Sequence, residues 1–93
     1  MYHVVFATRA KKDLRKHDRS GSFPLAKFER AIDTLAEGRP LQPAFQDHAL
    51  KGSLSDQSEF HLAYDLLVQY KRSDVAKTLT VMRIGTHDEL FAR

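Results

Sequence analysis

The apolar positions of this chain change period along its length, and the changes divide it into elements. Tyr2 to Thr8 is rich in β-branched and aromatic residues and predicts a first strand. Ala10 to Lys16 is basic, with Leu14 as its only large apolar residue, and predicts a short helix. Ser20-Gly21-Ser22 interrupts the pattern. Leu25, Phe28, Ile32 and Leu35 then fall at i, i+3, i+7 and i+10, which places them on one helical face as candidate core. Pro24 suits the first turn of that helix and Gly38 its C-terminal end, while Pro40 and Pro43 prevent its continuation.

Further on the period becomes two. Phe60, Leu62 and Tyr64 alternate with Glu59, His61 and Ala63, so one set should face the core and the other a more open surface. Leu66, Val68 and Tyr70 repeat the alternation. Tyr64-Asp65 therefore lies at a bend between two strands or inside one bulged strand. Ser73-Asp74 marks a turn, Thr78 to Ile84 a further strand, and Asp88 to Phe91 a final helical turn after Gly85. The order β-α-α-β-β-β predicts an α+β fold, an antiparallel sheet with two N-terminal helices packed on one face. Residues 1–93 read as one domain without repeats or linkers.

Composition narrows the classes. A chain of 93 residues supports one modest core. It has no cysteine, which excludes disulfides and thiolate metal sites. No apolar run is long enough to span a bilayer, and Met1 to Phe6 is too briefly apolar for a secretory signal, so a cytoplasmic protein with no membrane partner is expected. The net charge of +3 suits an anionic partner such as RNA or an acidic protein. Arg9, Lys11, Lys12, Arg15, Lys16 and Arg19, interrupted by Asp13 and Asp18, form either a solvated helix face or a contact for RNA phosphates or an acidic segment.

The candidate chemistry lies in three histidines beside strand ends. They are His48 in Asp47-His48-Ala49-Leu50-Lys51-Gly52, His61 four residues before Asp65, and His87 in Gly85-Thr86-His87. Histidine exchanges protons near neutral pH without special help. Metal-free RNA cleavage needs a base for the 2′-hydroxyl, positive charge near the phosphate and an acid for the departing 5′-oxygen. Histidines fill the acid and base roles, and a carboxylate orients or charges one of them. Lys51 and Arg83 are candidate phosphate contacts. His48, His61, His87 and Asp65 are also ligand types that zinc takes, but no His-x-x-x-His pair occurs and cysteine is absent, so no metal and no cofactor is expected.

The C-terminal half resembles the YafQ branch of the RelE superfamily of bacterial toxins. The resemblance rests on Asp47-His48-x-Leu50-x-Gly52, on His61-x-x-x-Asp65 followed by Leu67-Val68-Gln69-Tyr70-Lys71, and on Arg83-x-Gly85-Thr86-His87-x-x-Leu90-Phe91. The N-terminal half agrees in layout and length more than in residues. The resemblance implies a microbial-ribonuclease-like fold and the toxin of a type II toxin–antitoxin pair. It implies a ribosome-dependent endoribonuclease that cuts mRNA in the A site without a metal. Its partners would be the ribosome, mRNA and a cognate antitoxin, with operator DNA met only through the antitoxin complex. His48, His61, Asp65 and His87 match the family's catalytic set, and Phe91 matches an aromatic that stacks on the scissile nucleotide. The expected division makes His87 the general acid and His48 or Asp65 the base, with His61 steering or stabilising charge. Arg83 matches a family arginine. Many relatives have Pro-Asp-Trp where this chain has Tyr64-Asp65-Leu66, and a more basic, aromatic loop in place of Leu54 to Ser58. The alternatives are a ParE-like gyrase poison, whose relatives lack this histidine set, and a catalytically weak co-repressor that binds antitoxin.

Overall fold

The computed structural model describes residues 1–91. Strand β1 (His3–Phe6) leads into helix α1 (Thr8–Arg19), followed by α2 (Leu25–Ala36), a two-residue strand β2 (His48–Ala49), the strands β3 (Ser58–Ala63), β4 (Leu66–Ser73) and β5 (Thr78–Gly85), and a short helix α3 (His87–Phe91). The expected α+β order is present. The sheet has the strand order β1-β5-β4-β3-β2. The β2–β3–β4–β5 meander is antiparallel, but β1 pairs with β5 in parallel, so the sheet is mixed and not wholly antiparallel. A helical crossover between β1 and the meander makes that parallel pairing possible.

Helix α2 ends as its sequence predicts. Gly38 takes a positive φ of 79°, its amide donates to Leu35 O, and the Arg39 amide donates to Thr34 O. These two bonds form a Schellman motif, in which glycine carries the left-handed residue without a Cβ penalty. Phe28, Ile32 and Leu35 are buried, together with Ala31 and Ala36. Leu25, expected in the same core face, is exposed. It is the first helical residue, and helix side chains lean toward the N-terminus, so this one projects off the end.

The core fills the space between the helices and one sheet face. Ala10 of α1 and the α2 face meet Phe60, Leu62, Val68, Tyr70, Leu79, Val81 and Ile84. Each fully buried large side chain contributes on the order of 1.5–3 kcal/mol. β1 pairs only with Thr78 to Val81, so β5 runs on beyond it. Asp13 of α1 covers that free edge, accepting from the Ile84 amide at 2.9 Å. No helix among the described residues is long and apolar enough to cross a membrane.

Candidate active site

The three histidines come from three elements and form one row. His48 and His61 have ring centroids 6.3 Å apart, His61 and His87 6.1 Å, and His87 and Phe91 6.4 Å. Asp65 lies at the same end as His87. The structure therefore brings together His48, His61, Asp65, His87 and Phe91 as a continuous strip. The strip lies on an open surface. A groove of about 550 Å³, lined by Lys27, Arg30, Leu41 and Phe45 among others, lies elsewhere and contains none of these residues.

The bend at Tyr64-Asp65 is a hairpin turn, and the register of β3 on β4 also shifts between His61 and Ala63. Of the two forms expected for Tyr64-Asp65, the structure has the bend between two strands; the irregularity lies earlier in β3 and does not include these residues. Asp65 takes a positive φ of 50°, a conformation that aspartate tolerates better than most side chains. Its Oδ1 accepts from the His87 amide at 2.9 Å and from His87 Nδ1 at 2.6 Å. The backbone bond first, and the ring bond second, hold the Asp65 carboxyl below its usual range. The pairing fixes both the start of α3 and the orientation of the His87 ring, because a carboxylate acceptor requires the hydrogen on Nδ1.

Helix α3 is held by a capping box. The Glu89 amide donates to Thr86 Oγ1 at 3.2 Å, and the Thr86 amide donates to Glu89 Oε1 at 2.8 Å. Glu89 also binds Lys16 and His17 of α1, the latter at 2.9 Å. Burial pushes the Glu89 carboxyl up, but Lys16, the Thr86 amide and His17 outweigh it and bring it down to about 2. A Cβ added at Gly85 would lie 2.8 Å from Glu89 Oε1 and 3.3 Å from Leu90 Cδ2. Glycine here lets α3 return closely over the end of β5.

His48 is set by its neighbours in the chain. Gln46 has a positive φ of 51°, and its carbonyl lies 2.6 Å from His48 Nδ1. Asp47 accepts from the Tyr70 hydroxyl at 2.7 and 2.9 Å, which ties the segment to β4. Burial first, then Asp47, raises the Tyr70 hydroxyl well above its usual value. The strand register sets His48 opposite Glu59, Glu59 opposite Gln69, and Gln69 opposite Arg83. This face is more closed than the alternation predicts: Glu59 and Gln69 are each 4% exposed.

The two candidate phosphate contacts differ. Lys51 is exposed just after β2. Arg83 stands in the cross-strand row, but Asp13 engages its Nε at 2.8 Å and its Nη2 at 3.3 Å. That bond raises the guanidinium further above its already high value. Sequence reasoning missed Glu59, Gln69, Glu89 and the role of His17. The Thr86-x-x-Glu89 spacing was a visible capping signal; the others depend on partners far away in the chain. No group of three or more His, Asp or Glu side chains among the described residues is placed to hold a metal ion.

Fold and site together define a small α+β protein with an imidazole–carboxylate strip across its sheet. Residues 2–92 match the family model of the bacterial toxin of type II toxin–antitoxin systems, YafQ. A metal-bound toxin from Helicobacter pylori is 37% identical, with a TM-score of 0.89 over 98% of this chain and 100% of that one. A copper-bound mutant toxin from the same organism is 34% identical, with a TM-score of 0.90 over 98% and 100%. The toxin of the E. coli DinJ–YafQ complex is 26% identical, with a TM-score of 0.85 over 99% and 100%. Among curated protein sequences none matches. The chain belongs to the YafQ toxin family of type II toxin–antitoxin systems.

Proposed function

We propose that this toxin cuts messenger RNA in the ribosomal A site by metal-free acid–base catalysis, in the cytoplasm, and that a cognate antitoxin silences it. The observation that carries the reading is the His87–Asp65 pair at one end of the imidazole row. In the reaction the 2′-hydroxyl loses its proton and its oxygen attacks the adjacent phosphorus. The bond from phosphorus to the 5′-oxygen breaks, and that oxygen takes a proton. The products are a 2′,3′-cyclic phosphate and a 5′-hydroxyl end.

His87 is the acid. Its Nδ1 is committed to Asp65, so Nε2 is the nitrogen that exchanges a proton with the leaving oxygen. Asp65 fixes the ring and offsets the positive charge it carries before transfer. His48 and His61 lie further along the strip and divide the remaining tasks, taking the 2′-proton and facing the phosphate charge. Each positioned proton-transfer group is typically worth about 10²- to 10⁴-fold. Phe91, beside His87, offers a face on which a splayed nucleotide can stack. Lys51 and the Arg83 donors that Asp13 does not engage supply cations for the RNA backbone.

The openness of the strip supports dependence on the ribosome. Effective proton transfer needs substrate held at near-attack geometry. A surface strip cannot enclose a flexible strand, so the ribosome must present it. The DinJ–YafQ complex of the E. coli relative supports a protein antitoxin as partner, with operator DNA met only through that complex.

Expression without antitoxin should arrest growth, and primer extension on ribosome-bound message should show discrete cuts. His87→Ala should end both. Arrest that persists with a folded His87→Ala protein, or intact message beside damaged DNA, contradicts the reading.

A further inference from the structure

Aromatic side chains usually bury, and in this chain nearly all of them do so at least in part. Of three tyrosines and six phenylalanines, only Tyr64 and Phe91 are exposed among the described residues. Both border the Asp65–His87 pair. Phe91 lies 6.4 Å from the His87 ring by centroid, and Tyr64 directly precedes Asp65 in the chain. The Tyr64 side chain is 100% exposed, so it contributes nothing to the core. The chemistry above leaves it without a role. Many relatives have proline at this position, so the ring is not a feature the family shares.

The backbone under Tyr64 is held in place. Ala63 pairs with Leu66, which closes a two-residue turn of Tyr64 and Asp65. Asp65 takes a positive φ of 50° and accepts from both the amide and the ring of His87. The turn is thereby tied to the start of α3. A tyrosine on a fixed backbone has few torsions left to order, so contact through its ring costs little entropy. A neutral aromatic face suits a nucleobase and not a phosphate, because every base has a π-face on which to stack. The direction of the reaction decides which base. His48 and His61 serve the 2′-oxygen and the phosphate, and His87 serves the departing 5′-oxygen. The nucleotide that carries that oxygen extends past the His87 end of the row, where Asp65 and Tyr64 lie.

We infer that Tyr64 is a substrate-positioning residue whose ring stacks on the base of the nucleotide just downstream of the cut, holding the leaving 5′-oxygen before His87. The inference rests on the RNA-cutting reading and deepens it. Phe91 and Tyr64 then take the nucleotides on the two sides of the scissile phosphate. No bond is made or broken at Tyr64.

Affinity of the full chain for programmed ribosomes tests this. The message carries 2′-O-methyl groups across the A-site codon and the next nucleotide, so it cannot be cut, and these bases are removed one at a time. Tyr64→Ala should weaken binding to the intact message about 5- to 150-fold, the range of one base–aromatic stack. Removing the base downstream of the cut should weaken the wild type to a similar degree, and on that message Tyr64→Ala should do no further harm. Tyr64→Phe and Tyr64→Trp should keep the affinity. On cleavable message, which maps the cut, the Tyr64→Ala loss should fall on the toxin concentration at half-maximal rate more than on the rate at saturation. Equal affinity of Tyr64→Ala and wild type overturns the inference. So does a Tyr64→Ala defect of the same size on every abasic message, which would put the stack on a ribosomal base, or coupling to a base upstream of the cut, or a defect confined to antitoxin binding. Coupling to one message base, with no cutting by the wild type, would uphold the stacking contact and reject the RNA-cutting reading.

Discussion

Replacing Glu89 with Gln removes one charge from the junction that holds helix α3, which carries His87. The carboxyl stands at about 2, against an ordinary 4.5. At about 1.4 kcal/mol per pH unit the difference corresponds to ~3 kcal/mol. The Glu89 side chain is 25% exposed and that of Lys16 70%, so solvent screening reduces the contribution to about 1–2 kcal/mol. A carboxyl depressed in the folded state binds its proton more readily when unfolded. Its stabilisation is therefore complete above pH 4.5 and disappears as the pH falls toward 2. Urea unfolding of wild type and Glu89→Gln should differ by about 1–2 kcal/mol at pH 7, and the two should converge near pH 2. A gap of the same size at both pH values would refute the linkage between α1 and α3 through this charge.

Three further perturbations have expected outcomes. Asp65→Asn should lower RNA cleavage roughly 10²-fold or more, because the neutral amide no longer enforces the His87 tautomer; single-turnover cleavage on ribosomes measures it, and wild-type rates would remove Asp65 from the site. Gly85→Ala should destabilise the fold by about 1–3 kcal/mol in urea melts, since the new methyl meets Glu89 and Leu90; an unchanged midpoint would show that α3 moves away freely. Tyr70→Phe should cost about 1–2 kcal/mol by removing the donor to Asp47, with the His48 ring signals broadened or shifted; unperturbed spectra would deny that β4 positions His48 through Asp47.

Local periodicity made much of the fold legible. The α2 face, its glycine stop and the three long meander strands all repeat within a few residues, and such repeats report burial directly. The parallel pairing of β1 with β5 was not legible, because register between segments some seventy residues apart leaves no local mark. Strand β2 is two residues long and cannot show a period. Helix α1 reaches Arg19, past the expected Lys16, because its polar face gives no apolar signal at the C-terminal end. In the site, the histidines stood out as rare, chemically distinctive residues. Their supports did not. Glu59 reads as a polar strand residue, and only the sheet register shows it buried opposite His48. Arg83 reads in the sequence as a candidate phosphate contact, and its bond to Asp13 depends on α1 lying along the β5 edge. His17 carried no motif and gains its role only through Glu89 of α3.

The ends of RNA cleaved on purified ribosomes test the central proposal most directly. Wild-type protein in EDTA should produce A-site fragments bearing 2′,3′-cyclic phosphate and 5′-hydroxyl ends, and folded His87→Ala should produce essentially none. Fragments with 5′-phosphate ends, cutting that EDTA abolishes, or undiminished cutting by His87→Ala would contradict metal-free catalysis by this histidine strip.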